Sequence, residues 1–380
     1  MAARDQDDIS PPPIKRRKMS NSSPPSKTSS GVQRDELRIY SWNVNGIDPL
    51  VQRPITSFFE PRGNVRGSSG STVSTGLRDV LRRYSWPTLL FLQEVKIAPG
   101  DESAMKAVER AIQPSADEPE EAPSYKAFFC LPKDKYNARG FGRKYGVCNI
   151  IRQDFFDAHV ERVREVDWDL EGRFLVCETK PFQSLPKLAI INLYAVNGTD
   201  APYKDPDTGK PFGTRHDRKL RVHRLLQAEC QALSSRGFQI VLAGDFNIAR
   251  APIDGHPNLR MYPKQHCVNR ADFEARFFRR GTRLGGGSEG AEKRDTVEGD
   301  GGEVDEGLGM IDSFRHLHGD KAGYTYHPRG KSFGTSCDRV DMILTSSSLR
   351  DHLAEAGIHE TPADRATSDH VPLYISLLSH

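Results

Sequence analysis

Short apolar runs of this chain repeatedly border acids or amides. Ile240, Val241, Leu242 and Ala243 lead straight into Gly244-Asp245-Phe246-Asn247, and Ser368-Asp369-His370 stands directly before the apolar run Val371 to Leu377. Runs of this length are strand-sized and far too short to span a bilayer. A buried strand that ends in an acid, an amide or an imidazole delivers that group to the rim of a sheet, so the chain must adopt a fold that gathers strand ends. The same ending recurs elsewhere. Asn43 and Asn45 follow one run, Glu94 a second, Tyr194 and Asn197 a third, and Asp341 lies within Asp338-Arg339-Val340-Asp341.

Ten segments read as strands: Leu37 to Val44, Thr88 to Val95, Tyr125 to Leu131, Gly146 to Ile151, Phe174 to Glu178, Leu188 to Val196, Gln239 to Phe246, Tyr324 to Tyr326, Arg339 to Leu344 and Val371 to Leu377. Apolar spacing near three and four predicts helices over Gly76 to Tyr84, His216 to Ser234, Asn269 to Arg279 and Ser347 to Ala356. With 36% hydrophobic residues in 380, there is material for a packed core. Many strands with helices between them predict two packed sheets with helices outside. Residues 1–34 hold seven basic residues against three acids and lack apolar content, so they read as a disordered basic tail ahead of one domain over 35–380. Within that domain, Pro61 to Thr75, Ala98 to Ser124, Thr199 to Thr214 and Gly281 to Gly307 read as surface loops. The stretch 281–308 is a low-complexity acidic insertion with eight acids against three bases. Outside the acidic stretches the domain carries a basic surplus, which suits a phosphate backbone. The six cysteines are scattered without zinc-like spacing and read as reduced thiols of an intracellular protein.

Asn43, Asn45, Glu94, Tyr194, Asp245, Asn247, Asp341 and Asp369 are oxygen donors, joined by the imidazole of His370. A hard divalent cation such as Mg²⁺ takes carboxylate, amide and water oxygens, and needs few protein carboxylates when a substrate phosphate supplies more. The chemistry expected is metal-assisted phosphoester hydrolysis. Singly, each residue has an ordinary reading: Gly244-Asp245 as a turn, Glu94 as a solvated strand end beside Lys96, Tyr194 as a half-buried strand tyrosine, His370 as a satisfied core histidine.

Taken in order, Ser41-Trp42-Asn43-Val44-Asn45-Gly46, Leu92-Gln93-Glu94-Val95-Lys96, Asn192-Leu193-Tyr194, Gly244-Asp245-Phe246-Asn247-Ile248-Ala249, Asp338-Arg339-Val340-Asp341 and Ser368-Asp369-His370 resemble the exonuclease III family of abasic-site endonucleases, within the endonuclease/exonuclease/phosphatase superfamily. The resemblance implies a single-domain α/β fold, a four-layer sandwich of two packed mixed sheets flanked by helices. It also implies a metal site of Asn43 and Glu94, with Asn45, Asp245, Asn247, Asp369 and His370 nearby, for Mg²⁺ with Mn²⁺ able to substitute. By the same resemblance Asp245 orients or deprotonates the attacking water, and Asn247 and Tyr194 bond the phosphate or stabilise the leaving group. Asp341 holds His370, which faces the scissile phosphate.

The implied partner is double-stranded DNA with abasic or 3′-blocked sites, handled by a monomer away from any membrane, by a nuclease that cuts 5′ to the lesion and carries 3′→5′ exonuclease or 3′-phosphodiesterase activity. The alternatives within the superfamily are a phosphatase, a lipid phosphodiesterase or an RNA phosphodiesterase, and beyond these a non-catalytic DNA-binding member. The cluster Lys15-Arg16-Arg17-Lys18 after three prolines reads as a nuclear-import signal or as a merely soluble basic tail. Arg215, Arg218, Lys219, Arg221 and Arg224 are candidate phosphate contacts on one helix. Two departures stand out. Asp338 and His327 occupy positions where strong abasic-site endonucleases of the family carry aromatics. Asp338 is expected to repel a sugar-phosphate unless solvated or bonded to Arg339.

Overall fold

The computed structural model describes residues 36–51, 76–138, 145–279 and 307–379. The basic tail, the segment Pro61 to Thr75 and nearly all of the acidic stretch 281–308 lie outside these residues. Strands β1 (Glu36–Asn43), β2 (Leu89–Gln93), β3 (Tyr125–Cys130) and β4 (Val147–Arg152) open the first sheet. The second takes β5 (Val160–Glu165), β6 (Phe174–Thr179) and β7 (Leu188–Tyr194). A hairpin, β8 (Pro202–Lys204) with β9 (Pro211–Thr214), precedes β10 (Gln239–Asp245). After the short strands β11 (Gly255–His256), β12 (Ile311–Asp312) and β13 (Cys337–Asp338) come β14 (Asp341–Thr345), β15 (Leu353–Ile358) and β16 (Leu373–Leu378). The sheet orders are β15-β16-β1-β2-β4-β3 and β12-β14-β10-β7-β6-β5.

The two sheets repeat one local plan. β1 lies between antiparallel β16 and parallel β2, and β10 lies between antiparallel β14 and parallel β7. Asn43 and Asp245 therefore end equivalent central strands. Register adds that Asp245 faces Tyr194 on one side and Asp341 on the other.

Alternation along the strands builds the layers, because successive side chains point to opposite faces. Ile39, Phe91, Ile190, Val241, Ala243 and Ile375 meet between the sheets. Tyr40, Trp42, Leu90, Leu92 and Ile150 turn outward under helices α1 (Asp48–Val51), α2 (Leu77–Arg83) and α3 (Glu102–Ala111). On the opposite outer face Ile191, Leu193, Ile240 and Leu242 pack with Leu226 and Cys230 of α5 (Arg215–Ser235) and Phe273 and Phe277 of α6 (Gln265–Phe277). The short α4 (Gln153–His159) links β4 to β5. The expected four-layer α/β sandwich is thus observed. At the site end, polar groups tie the sheets together: Gln93 donates to Asn192 Oδ1 (2.8 Å), and Asn192 donates to Asn149 Oδ1 (2.9 Å). Gly244 is required where β10 passes β7, since a Cβ there would lie 1.8 Å from the Leu193 carbonyl oxygen.

Four expectations fail. The supposed loop 199–214 holds the β8–β9 hairpin, with Tyr203 buried. Ser347 to Ala356 is not a helix. Ser347–His352 forms a 3₁₀ turn and Leu353–Ile358 is strand β15, because pairing with β16 and burial of Leu353 and Ala356 outweigh their helix-like spacing. Within the supposed loop 98–124, α3 forms with Asp101 as its N-cap and Val108 buried. Tyr324 to Tyr326 contributes only isolated bridges, Tyr326 pairing with Asp338 and with His370.

Candidate active site

The ends of β1 and β10 are shaped by the same local device. Asn45 N donates to Asn43 Oδ1 (3.0 Å), and Asn247 N donates to Asp245 Oδ1 (2.7 Å). In each case the first side chain folds back on the backbone two residues on, while Asn45 and Asn247 take left-handed conformations with φ of 51° and 53°. Glu94 and Lys96 are also left-handed, with φ of 51° and 57°. Such conformations are uncommon outside Gly and Asn and cluster where a surrounding structure forces side chains into position.

These turns bring every expected site residue around one cavity of about 240 Å³, either in its lining or hydrogen-bonded to it. Asn43 donates to Glu94 Oε1 (3.2 Å) and Asp245 Oδ2 (3.0 Å). Asn45 donates to Asp369 Oδ1 (2.9 Å). Lys96 bonds the Asn45 amide oxygen and stands 3.3 Å from Glu94 Oε2. Asn247 Nδ2 donates to the Ala195 carbonyl at 3.0 Å, and Tyr194 lines the same cavity as Glu94. His370 Nδ1 lies 2.7 Å from Asp341 Oδ2, leaving Nε2 facing Asp245 Oδ2 across 4.0 Å. Ser368 ties this segment to β1 by donating to the Asn43 carbonyl (2.6 Å), and Trp42 does so by donating to the His370 carbonyl (3.0 Å).

Charge follows from this packing. Burial alone would lower His370, but Asp341, Asp245 and Asp369 outweigh it and push the imidazole up to about 10. Burial, with Asp341 alongside, pushes Asp245 up to about 7 against the pull of His370, the Asn247 N–H and Asn43. Burial would also raise Glu94, yet the Tyr194 phenol, Lys96 and Asn43 hold it below the usual carboxylate range. Four carboxylates, Glu94, Asp245, Asp341 and Asp369, thus share the site with Lys96 and His370, and the buried Asp341 Oδ1 has no hydrogen-bond partner among the described residues. Among the described residues, Asp245, Asp341 and His370 place ligand atoms within 4.8 Å of one another. A surplus of acceptor oxygens without thiolates suits a hard divalent cation.

Other site residues left little trace in the sequence. Arg173, fully buried, donates to the Tyr194 carbonyl (3.1 Å) and lies under its ring at 4.8 Å. Lys219 donates to the carbonyls of Val196 (2.8 Å), Phe246 (3.0 Å) and Asn247 (3.1 Å), stapling the loops after β7 and β10. The basic helix is corrected accordingly. Arg215 and Arg218 are buried against Glu171 and Asp169, so with Lys219 they hold the scaffold and are not free to meet a phosphate backbone. Nor does Arg339 pair with Asp338: it binds Asp254 (2.7 Å) and Asp312 (2.7 Å).

A two-sheet sandwich whose paired central strands end in oxygen donors and a carboxylate-held histidine has the form of a metal-assisted phosphoester hydrolase. The chain belongs to the Endonuclease/Exonuclease/phosphatase family, whose sequence profile matches residues 40–370. Over 232 residues it is 27% identical to DNA-(apurinic or apyrimidinic site) endonuclease 2 of Mus musculus, covering 57% of this chain and 40% of that protein. The chain therefore spans about two fifths of that relative's length. Among solved structures, the catalytic domain of Xenopus laevis APE2 superposes with a TM-score of 0.57 at 18% identity, covering 90% of this chain and 91% of that one. The 3′ phosphatase NExo from Neisseria, bound to a product DNA hairpin, superposes with a TM-score of 0.51 at 18% identity, covering 90% and 99%. At such identity these structures support the fold. No described helix is long and apolar enough to cross a membrane.

Proposed function

We propose that this protein is a Mg²⁺-dependent DNA-repair phosphodiesterase that cuts duplex DNA 5′ to abasic sites and processes 3′ ends. The observation that carries the reading is the gap between His370 Nε2 and Asp245 Oδ2, 4.0 Å wide and opening on the cavity. A proton-bearing imidazole and a carboxylate stand side by side there, both lining the cavity, so a phosphate seated in the cavity over the pair meets a donor from His370 and a water-orienting acceptor from Asp245. Glu94, Asn43 and Asp369 are the residues that would hold the cation, which supplies Lewis-acid stabilisation of phosphate charge. Asp245 positions and deprotonates water, a role that requires its charged form. Asp341 keeps His370 oriented and protonated, so the imidazole donates to a phosphate oxygen as charge builds there. Tyr194, lining the same cavity as Glu94, would donate to the leaving oxygen, and Asn247 would turn its amide from the Ala195 carbonyl to the phosphate. DNA as substrate is favoured by the relatives, one named as an abasic-site endonuclease and one solved with a DNA hairpin. The Lys15 to Lys18 cluster adds a nuclear address to this reading, tested by whether its replacement with alanines moves a tagged chain out of the nucleus.

The full chain is assayed with Mg²⁺ and with chelator on a duplex bearing one abasic analogue, an undamaged duplex, single-stranded RNA and an inositol polyphosphate. Cleavage of the abasic duplex in Mg²⁺ alone is expected. Asp245→Asn, melting like the wild type, should lower the rate by about three orders of magnitude, roughly 4 kcal/mol. Near-normal turnover by that variant refutes the role of Asp245, and preferential hydrolysis of RNA or the inositol polyphosphate refutes the substrate.

A further inference from the structure

Gly198, His266 and Asn269 line the cavity without a part in the chemistry above. Behind Gly198 stands His216, and a Cβ on that glycine would come within 2.5 Å of His216 Nδ1 and 2.7 Å of Asn269 Nδ2. A side chain there would displace both. His216 and Asn269 are buried, with the amide 2.8 Å from Nδ1. Two buried atoms of this pair, His216 Nε2 and Asn269 Oδ1, nevertheless have no hydrogen-bond partner among the described residues. With the amide oxygen turned to Nδ1, that nitrogen carries the ring proton and Nε2 keeps a free lone pair.

What faces Nε2 is a carboxylate. Asp200 Oδ1 stands 3.9 Å away, on a side chain 87% exposed. That gap is too long for a hydrogen bond, whereas two metal–ligand bonds of roughly 2 Å meeting at a wide angle span it. His266 completes the group, its ring centre 5.6 Å from that of His216 and the two planes near perpendicular. Two imidazoles on one tetrahedral ion hold their ring centres on the order of 5 Å apart. The half-buried His266 and the exposed Asp200 make no side-chain hydrogen bond among the described residues that would stop them from turning inward. Burial, with Lys219 beside it and against the pull of Asp200, lowers His216 from its ordinary value; burial and Arg260 do the same to His266. Both are therefore neutral near pH 7, the form that binds a metal. Imidazole nitrogen suits Zn²⁺ and its transition-metal neighbours, unlike the oxygen-rich catalytic wall, which suits Mg²⁺.

We propose that His216, His266 and Asp200 form a second metal site, separate from the catalytic one, that takes a Zn²⁺-like ion and ties the loop after β7 to the first turns of α5 and α6. Asn269 orients His216 from behind, and water fills the fourth position. The site stands whether or not the protein cuts DNA. The test titrates Zn²⁺ into the full chain carrying Glu94→Gln, which weakens the catalytic site, with thiols kept reduced by a phosphine; heat of binding and melting temperature are followed. One Zn²⁺ per chain should bind and raise the melting temperature. Adding Asp200→Ala, a change at an exposed side chain that leaves the ion-free melt in place, should weaken that binding by about tenfold or more, as should His266→Ala. Cys267→Ser, beside His266 in sequence, should keep it, and an excess of Mg²⁺ should not displace it. A chain with Glu94→Gln that binds no Zn²⁺ overturns the second site. So does unchanged affinity in Asp200→Ala and His266→Ala, loss in Cys267→Ser, or displacement by Mg²⁺.

Discussion

Asp341 and His370 show how one buried pair sets the state of a reactive group. Burial works against a charged His370, and Asp341 at 2.7 Å is the leading influence that reverses it. On the proposed mechanism His370 acts in its protonated form, so activity should be lost as pH rises through its raised value. Asp341→Asn should therefore shift the alkaline limb of the pH dependence of kcat/KM to lower pH; an unmoved limb would mean that His370 is not the proton donor. At this scale the sequence was highly legible for residues at strand ends, because Asp245, Asn247, Glu94 and His370 lie next to apolar runs whose direction fixes where they emerge. It was nearly silent for Arg173, and it marked Lys219 only as a phosphate contact, a role the structure does not give it. Neither sits in a motif, and their roles arise from carbonyls brought near by strand pairing. Asp338 was visible as an anomaly, but its lack of a partner could be read only once Arg339 was seen bound to Asp254 and Asp312.

α5 carries the clearest gap between pattern and structure. Its basic residues suggested a DNA-facing helix, yet burial converts Arg215 and Arg218 into partners of Asp169 and Glu171, and Lys219 into a staple. Charge listed along a helix does not reveal which acids wait on neighbouring strands. The same helix supplies a pH-sensitive contact with α6, where His223 Nδ1 lies 2.8 Å from Asp272 Oδ2. Burial pushes His223 down to about 4 despite the pull of Asp272. In the window from its ordinary value near 6.5 down to about 4, the unfolded chain takes up a proton that the folded chain refuses. Stability should fall as pH drops through that window, by roughly 3 kcal/mol at most, and level off below it. Thermal melts of wild type and His223→Gln check this: the variant should lose the slope between pH 6.5 and 4. An identical slope would place the titrating group elsewhere.

Across the whole molecule, function depends on two sheets presenting equivalent strand ends to each other. Alternating apolar residues made the layers legible, since each central strand carries two apolar faces and so demands a second sheet and a helix layer. The match of β1 with β10 was not legible, because sheet order depends on long-range pairing that no local pattern encodes. Neither was the Gln93, Asn192 and Asn149 chain that spans the sheets beneath the site; singly, these residues look like ordinary polar interruptions of strands. Its consequence is that Glu94 from one sheet and Asp245 from the other both receive a hydrogen bond from Asn43. The central claim is that these strand ends converge on one oxygen-lined divalent-cation site. Anomalous diffraction from crystals soaked in Mn²⁺ tests it most directly. The account predicts a peak at roughly 2 Å from a Glu94 carboxylate oxygen, a usual metal–oxygen distance, lost in Glu94→Gln together with cleavage; a peak remote from Glu94, or full cleavage in chelator, would contradict it.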